Sequence, residues 1–213
     1  MRTLRKTIAT YDRVSRVYDL AEACSEWLLF RRWRRLLFGT GGGRILEVGV
    51  GTGKNIPYYP PGASVVAIDV SPGMMRRARR RASRAAARPT LLRMDVQRLA
   101  FKPRSFDCVV ASFVFCSVPD PLAGLREAGR VCKPDGRALL LEHVRSAGKL
   151  MGRGMDLLNP LCVRLAGVNI NRDTVASVQR AGLKLVSRED LWGGVFKLIR
   201  ARPGAGDGTA GKR

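Results

Sequence analysis

What this 213-residue chain lacks narrows its class before any motif is read. Its five cysteines (Cys24, Cys108, Cys116, Cys132 and Cys162) are odd in number, well separated and without a C-x-x-C pair. Neither a disulfide framework nor a metal site follows, and a reduced, cytoplasmic compartment is the simplest expectation. The longest apolar run, around Val109 to Val118, falls well short of the about 20 residues of a transmembrane helix. The start, MRTLRKTIATYDRVSRVYD, lacks the apolar segment of a signal peptide. Aromatics are only 7% of residues, thin for rings interleaved to stack on bases. Acids are scarce: 17 against 39 lysines and arginines, a net charge of +22, with none from Val70 through Met94. Such a balance favours anionic partners, whether nucleic acid, acidic lipid or anionic substrate. Histidine occurs once, at His143.

What is present is a core of ordinary size, 46% hydrophobic, long enough for one domain over residues 1–200. Two helical patterns open it, Thr7–Ala23 and Ser25–Phe38, forming an expected N-terminal cap over residues 1–38. In WLLFRRWRRLLF, Trp27 to Phe38, the arc of Leu29, Phe30, Trp33, Leu36 and Leu37 opposes Arg31, Arg32, Arg34 and Arg35. That pattern fits either a helix lying on an anionic bilayer or a cap on a soluble fold. From Arg44 onward short apolar runs alternate with helical ones. The expected strands are RILEVG, SVVAID, TLLRMD, FDCVVAS, RALLLEHV, LKLVSRE and GVFKLIRA. Helices are expected near Pro72–Ala87, Pro121–Val131 and Asp173–Ala181. This alternation predicts an α/β doubly wound sheet of seven strands, mostly parallel, with one antiparallel strand near the C-terminus. The Gly-rich tail, 201–213, is expected to be disordered.

In ILEVGVGTGKN a strand ends at Glu47 and Val48, and glycines follow at 49, 51 and 53. They permit a tight turn and let backbone approach a ligand at the carboxyl end of the first strand. The next strand ends in Asp69, where a carboxylate can take both hydroxyls of a ribose. The spacing departs from the dinucleotide fingerprint, which weakens a dehydrogenase assignment. Together LEVGVGTG, VVAIDVSPGMMRRAR, MDVQRLAFKPRSFDCVVASFVFCSV and LREAGRVCKPDGRALLLEHV resemble four successive motifs of the class I S-adenosylmethionine (SAM) methyltransferases, which have a Rossmann-like fold.

The resemblance implies SAM as cofactor and assigns positions to it. Glu47 would fix the methionine amino end, with Gly49, Gly51 and Gly53 making room. Asp69 would hold the ribose, with Val70 beside it, and Met74 would pack on the adenine. Asp95 and the Val96 amide would read the adenine amino group, and Ser112 would face the methionine portion. Asn55, expected one turn into a first helix, would add a polar contact or face solvent.

The acceptor is less constrained. ASFVFCSVPDP lacks the Asn/Asp/Ser-Pro-Pro-aromatic motif of base methyltransferases, so a nucleic-acid partner is disfavoured. The pattern Y-D-x-x-S-x-x-Y-D resembles bacterial phospholipid N-methyltransferases and quinone C-methyltransferases, and FVFCSVPDP with EHV resembles membrane-associated thiol S-methyltransferases. The resemblance implies a peripheral enzyme at an anionic membrane surface, N-methylating a phospholipid amine headgroup. The alternatives are a lipophilic thiol or quinone substrate, or a non-catalytic SAM-fold protein binding RNA or lipid. His143, at the expected end of the fifth strand, is the candidate base. Tyr11 and Tyr18 would cover the sulfonium or orient the acceptor. MDLLNPLCVRLAGVNINRDTV would lie over the substrate entrance or pack as a buried helix.

Overall fold

Apolar runs broken by glycine, proline and acid build a sheet whose strands end where the site begins. A computed structural model describes residues 3–15, 17–21, 26–39 and 42–204. Its strands are β1 (Arg44–Val48), β2 (Ser64–Asp69), β3 (Thr90–Arg93), β4 (Phe106–Ser112), β5 (Cys132–His143), β6 (Leu183–Leu191) and β7 (Phe196–Pro203). They form one sheet in the order β3-β2-β1-β4-β5-β7-β6. Strand β7 runs antiparallel to β5 and β6, while the other pairs are parallel. The order reverses between β1 and β4, so a crevice opens there at the carboxyl ends.

The helices are α1 (Leu4–Val14), α2 (Tyr18–Ala21), α3 (Arg31–Phe38), α4 (Pro72–Ala82), α5 (Pro121–Val131), α6 (Lys149–Leu165) and α7 (Thr174–Arg180). Side-chain oxygens of Ser71, Asp120 and Asp173 cap α4, α5 and α7, and prolines sit in the first turns of α4 and α5. Strand alternation splits the core between two faces. Leu46, Val48, Val109 and Leu140 pack with Leu125 of α5 and Val178 of α7. Ile45, Val110, Leu139 and Leu141 pack with Phe30, Trp33 and Leu37 around α3. Glu47 therefore points toward the α3 side.

Several expectations need correction. The segment expected as one helix over 25–38 is a π-helical turn, Glu26–Phe30, followed by α3. Phe30, Trp33 and Leu37 of its apolar arc are buried within the fold, leaving Leu36 exposed. Most of the arc packs into the protein's own core, so it does not present the continuous apolar face expected of it. The helix expected over Thr7–Ala23 is interrupted between Val14 and Tyr18, and its last two residues lie outside the described ones. No α-helix follows the glycine turn: Pro57 and the Pro-Pro-Gly at 60–62 leave only a 3₁₀ turn, Ile56–Tyr58. Helix α4 stops at Ala82, short of Ala87. Residues 201–203 belong to β7 and not to a tail, and 205–213 lie outside the described residues, as does Cys24. Among the described residues no helix is long and apolar enough to cross a membrane.

Candidate active site

At the β1–β4 switch point a narrow cleft of about 100 Å³ is lined by the ends of β1, β2 and β4 and covered by α1 and Tyr18. Of the residues singled out in the sequence, Gly49, Gly51, Asp69, Val70, Met74 and Ser112 line it. So do Tyr11, Tyr18, Asp95 and Val96. Glu47, Gly53, Asn55 and His143 are not among the lining residues.

The glycine turn shows why two of its positions have no side chain. Gly49 has φ 69°, and a Cβ there would lie 2.4 Å from Val114 Cγ2. Gly51 has φ 55° and open space where a Cβ would stand, and its N–H donates to Asp69 Oδ2 at 2.9 Å. Ser71 N–H donates to Asp69 Oδ1 at 2.9 Å. Burial raises the Asp69 carboxyl above its ordinary value, against these backbone donors that lower it. Asp95 is held by Gln97, whose N–H and side-chain amide both donate to it.

The N-terminal cap is fastened by the residues of the Y-D-x-x-S-x-x-Y-D pattern. Tyr11 Oη and Ser117 Oγ are 2.5 Å apart. Asp12 Oδ1 accepts from Ser71 Oγ at 2.6 Å and from Gly73 N–H at 2.8 Å. Ser15 Oγ donates to the Asp12 carbonyl at 2.8 Å, bracing that turn. Lys54 Nζ lies 5.3 Å from the Tyr18 ring centroid. Asp19 accepts from Thr52 Oγ1 at 2.7 Å and from Arg81 Nη2 at 3.1 Å. The cap thus bridges the glycine turn, the end of β2 and the loop after β4.

Arg34 is the residue that periodicity misplaced. Expected on a solvated cationic face, it is 4% exposed and donates bidentately to Glu26 at 2.9 and 3.0 Å. Its Nη1 also donates to Asn55 Oδ1 at 2.6 Å and to Ser112 Oγ at 3.2 Å. Asn55 Nδ2 donates to Glu47 Oε1 at 2.5 Å and to Ser112 Oγ at 2.7 Å, and Tyr59 Oη donates to Glu47 Oε2. Burial raises the Glu47 carboxyl. Glu47 and Asn55 are therefore a buried polar network beneath the cleft wall. Asn55 is 2% exposed, so it does not face solvent, and it immediately precedes a 3₁₀ turn and does not lie one turn into an α-helix. The signal that could have exposed Arg34 is the single acid in that basic stretch, Glu26, eight residues before it.

Beyond β4, Phe113 sits at φ 58°, a left-handed conformation that costs a bulky residue strain. The buried Glu142 carboxylate holds it there by accepting from the N–H groups of Val114 and Phe115, at 2.9 and 3.1 Å. Burial pushes the Glu142 carboxyl up to about 7. The Phe113 ring lines the cleft and lies 4.8 Å from Phe30 and 5.9 Å from Phe196. His143 stands behind, edge-on to Phe196 at 5.2 Å, with burial lowering its pKa from the ordinary value. Its buried Nδ1 has no hydrogen-bond partner among the described residues.

Helix α6, read from sequence as an entrance cover or a buried helix, crosses the same edge. It is held by Asp156, paired with Arg145 at 2.8 Å, and by Asn159, which accepts from Ile170 N–H at 2.8 Å, with its own Gly152 and Met155 buried. Its outer side exposes Leu150, Met151, Leu157, Leu158, Leu161 and Leu165, with Leu157 82% exposed. The two expectations resolve into a helix that is mostly uncovered. Asn169, just beyond it, donates to the Cys116 carbonyl, tying α6 to the loop beside the cleft.

Comparison with known proteins agrees with this geometry. The family described as "Methyltransferase domain" matches residues 46–140. A demethylmenaquinone methyltransferase of Clavibacter sepedonicus is 32% identical, over 93% of this chain and 90% of that one. A ubiquinone/menaquinone biosynthesis C-methyltransferase of Syntrophotalea carbinolica is 34% identical over 91% and 94%. A phosphatidylethanolamine N-methyltransferase of Cereibacter sphaeroides is 40% identical, over 51% of this chain and 55% of that one. In fold, the chain superimposes with a TM-score of 0.74 at 15% identity on a chain of the Haloferax volcanii complex between the Trm112 activator and a methyltransferase. That match covers 94% of this chain and 98% of the other. A SAM-dependent methyltransferase of Aquifex aeolicus gives 0.61 at 18% identity, covering 80% and 87%. With its glycine turn, the acid ending β2 and full-length relatives that transfer methyl groups, the chain belongs to the class I SAM-dependent methyltransferases.

Proposed function

We propose that this enzyme methylates a lipid-borne acceptor at an anionic membrane surface, with a phospholipid headgroup amine as the leading substrate. The observation that carries the proposal is the uncovered leucine face of α6, a helix tied through Asn169 to the loop beside the cleft. Soluble proteins seldom expose so many large apolar side chains together without a partner surface. Arg153 and Arg164 are exposed on the same helix, and the chain's net charge is +22, both suited to acidic headgroups.

The cleft's donor set suits SAM. Asp69 would hold both ribose hydroxyls. Met74, Val96 and Val70 would sandwich the adenine, and Asp95 with the Val96 amide would read its amino group. The open space at Gly51 would admit the methionine end, with Ser112 facing it. SAM supplies an electrophilic methyl on a sulfonium, and the protein's tasks are alignment and removal of the acceptor's proton. Tyr11 and Tyr18 would close the site above the sulfonium. His143, separated from Phe113 by the Phe196 ring, is the candidate proton acceptor.

The base proposal gives a rate and a pH expectation. His143→Ala should lower turnover by about 10²-fold or more, with SAM affinity little changed. Burial moves the His143 pKa below its ordinary value, so the neutral, proton-accepting form persists to lower pH. The rate should fall as pH drops through that lowered pKa, and this acid limb should vanish in the variant. A variant with wild-type turnover would leave His143 a packing partner of Phe196.

The membrane proposal gives a second test. Replacing Leu150, Leu157 and Leu161 with serine should weaken binding to phosphatidylglycerol vesicles by about 10³-fold or more, given roughly 1.5–3 kcal/mol per buried leucine. SAM affinity should not move. Undiminished binding would remove α6 as the docking face.

A reduced quinone ring is the second substrate considered, favoured by relatives that match over nearly the whole chain. Labelled SAM with vesicles carrying phosphatidylethanolamine in one arm and demethylmenaquinol in the other decides between them. Transfer to the quinol alone overturns the headgroup assignment.

A further inference from the structure

A second cleft, of about 960 Å³, lies outside the methyl-transfer site and takes five arginines into its lining: Arg77, Arg80, Arg81, Arg84 and Arg88. The rest of its lining is mostly apolar, including Pro57, Tyr59, Pro60, Pro61 and the Ala85–Ala87 run. The one carboxylate in the lining, Asp19, is already bound to Arg81 and Thr52. Among the described residues Arg80, Arg84 and Arg88 have no ion-pair partner, and all three are exposed at the rim.

Cations in the last turn of a helix are commonly there to complement its dipole, and that accounts for Arg79 to Arg81 in α4. It does not account for Arg84 and Arg88. These lie beyond the helix, on a segment that lines the cleft together with Pro60 and Pro61. Like charges brought to one concave rim repel one another and raise the local potential, a cost that a bound anion relieves. Guanidinium groups match the paired oxygens of phosphate in a way that ammonium groups do not. The apolar part of the lining suits an organic body attached to such a group.

We propose that this cleft binds a phosphate-bearing ligand of at least two negative charges, carried on a lipid headgroup or on a soluble organic phosphate. The probe is inorganic pyrophosphate, titrated calorimetrically into the full-length protein. Wild-type should bind it saturably at one site. R80Q/R84Q should weaken it by about tenfold or more, while R98Q/R126Q, an equal charge change at exposed positions outside this lining, should leave it unchanged. Unchanged melting temperature and SAM affinity in both variants certify the fold. Absence of saturable binding, or equal weakening in both variants, overturns the site.

Vesicles of phosphatidylcholine with and without phosphatidic acid separate the two sources. Loss of acidic-vesicle binding in R80Q/R84Q alone, with competition by pyrophosphate, assigns the headgroup. Retained vesicle binding alongside lost pyrophosphate binding assigns the soluble phosphate. Single-stranded RNA binding that depends on Arg80 and Arg84, with no pyrophosphate binding, overturns the proposal in favour of a nucleic-acid surface.

Discussion

Asp69→Ala is expected to lose SAM binding by about 10²- to 10⁴-fold, the largest effect of any single change in the cleft. A charged acceptor contributes about 1.5–3 kcal/mol to each hydrogen bond it receives, and the proposed ribose contact makes two. The side chain is also the anchor of its own surroundings, since it accepts from Gly51 N–H and Ser71 N–H at 2.9 Å each. Removing it loosens the glycine turn and the start of α4 as well as the cofactor contact. The useful comparison is therefore Asp12→Ala, which frees Ser71 and Gly73 from the cap while sparing the Asp69 carboxylate. Calorimetry should show a much larger loss of SAM affinity for Asp69→Ala than for Asp12→Ala. Equal small losses in folded protein would mean that the ribose is held elsewhere.

Arg34→Met should be the most destabilising substitution in α3, whereas Arg35→Gln, exposed on the next position, should be nearly silent. Removing the Arg34 guanidinium leaves Glu26, Asn55 and Ser112 without their shared donor, and Glu26 without its bidentate partner. Stranding one half of a buried ion pair costs about 3–5 kcal/mol, and Lys54 Nζ at 3.7 Å from the partly exposed Glu26 puts this loss toward the lower end, while surface changes usually stay within about 0.5 kcal/mol. For a chain of this size that translates to a fall in melting temperature of roughly 6–20 °C. Glu26→Gln combined with Arg34→Met should recover part of the loss, because the uncompensated charge disappears. Equal melting temperatures for Arg34→Met and Arg35→Gln would return Arg34 to the solvated surface.

Most of the strands were legible as short apolar runs. SVVAID ends at Asp69 and FDCVVAS at Ser112, matching β2 and β4 residue for residue. The cleft residues at strand ends were legible for the same reason. Arg34 was not, since helical periodicity places every arginine of WLLFRRWRRLLF on one side. Periodicity is blind to an acid beyond the helix that can draw one arginine inward. Asn55 was misplaced because a helix is the usual successor to such a glycine turn, and Pro57 with the Pro-Pro-Gly that follows overrode it. Helix α6 runs through Pro160, an interior position at which proline ordinarily breaks or kinks a helix. The roles of Asp12 and Asp19 depend on contacts 61 and 33 residues away, with Gly73 and Thr52, which no local pattern encodes.

The fastened cap has a consequence for timing. Sites for small molecules usually enclose roughly 300–1,000 Å³, and the cleft beneath α1 holds about 100 Å³. Were SAM to occupy that cleft, the cap would have to stand further out than it does here, and spent cofactor would leave only as it lifts. Lifting breaks the Tyr11–Ser117, Asp12–Gly73 and Asp19–Thr52 contacts together. Such lid motions commonly run on the microsecond to millisecond scale and often limit turnover. An acceptor that takes several methyl groups in succession would then wait through one full opening between each, so its intermediates have time to diffuse away within the bilayer.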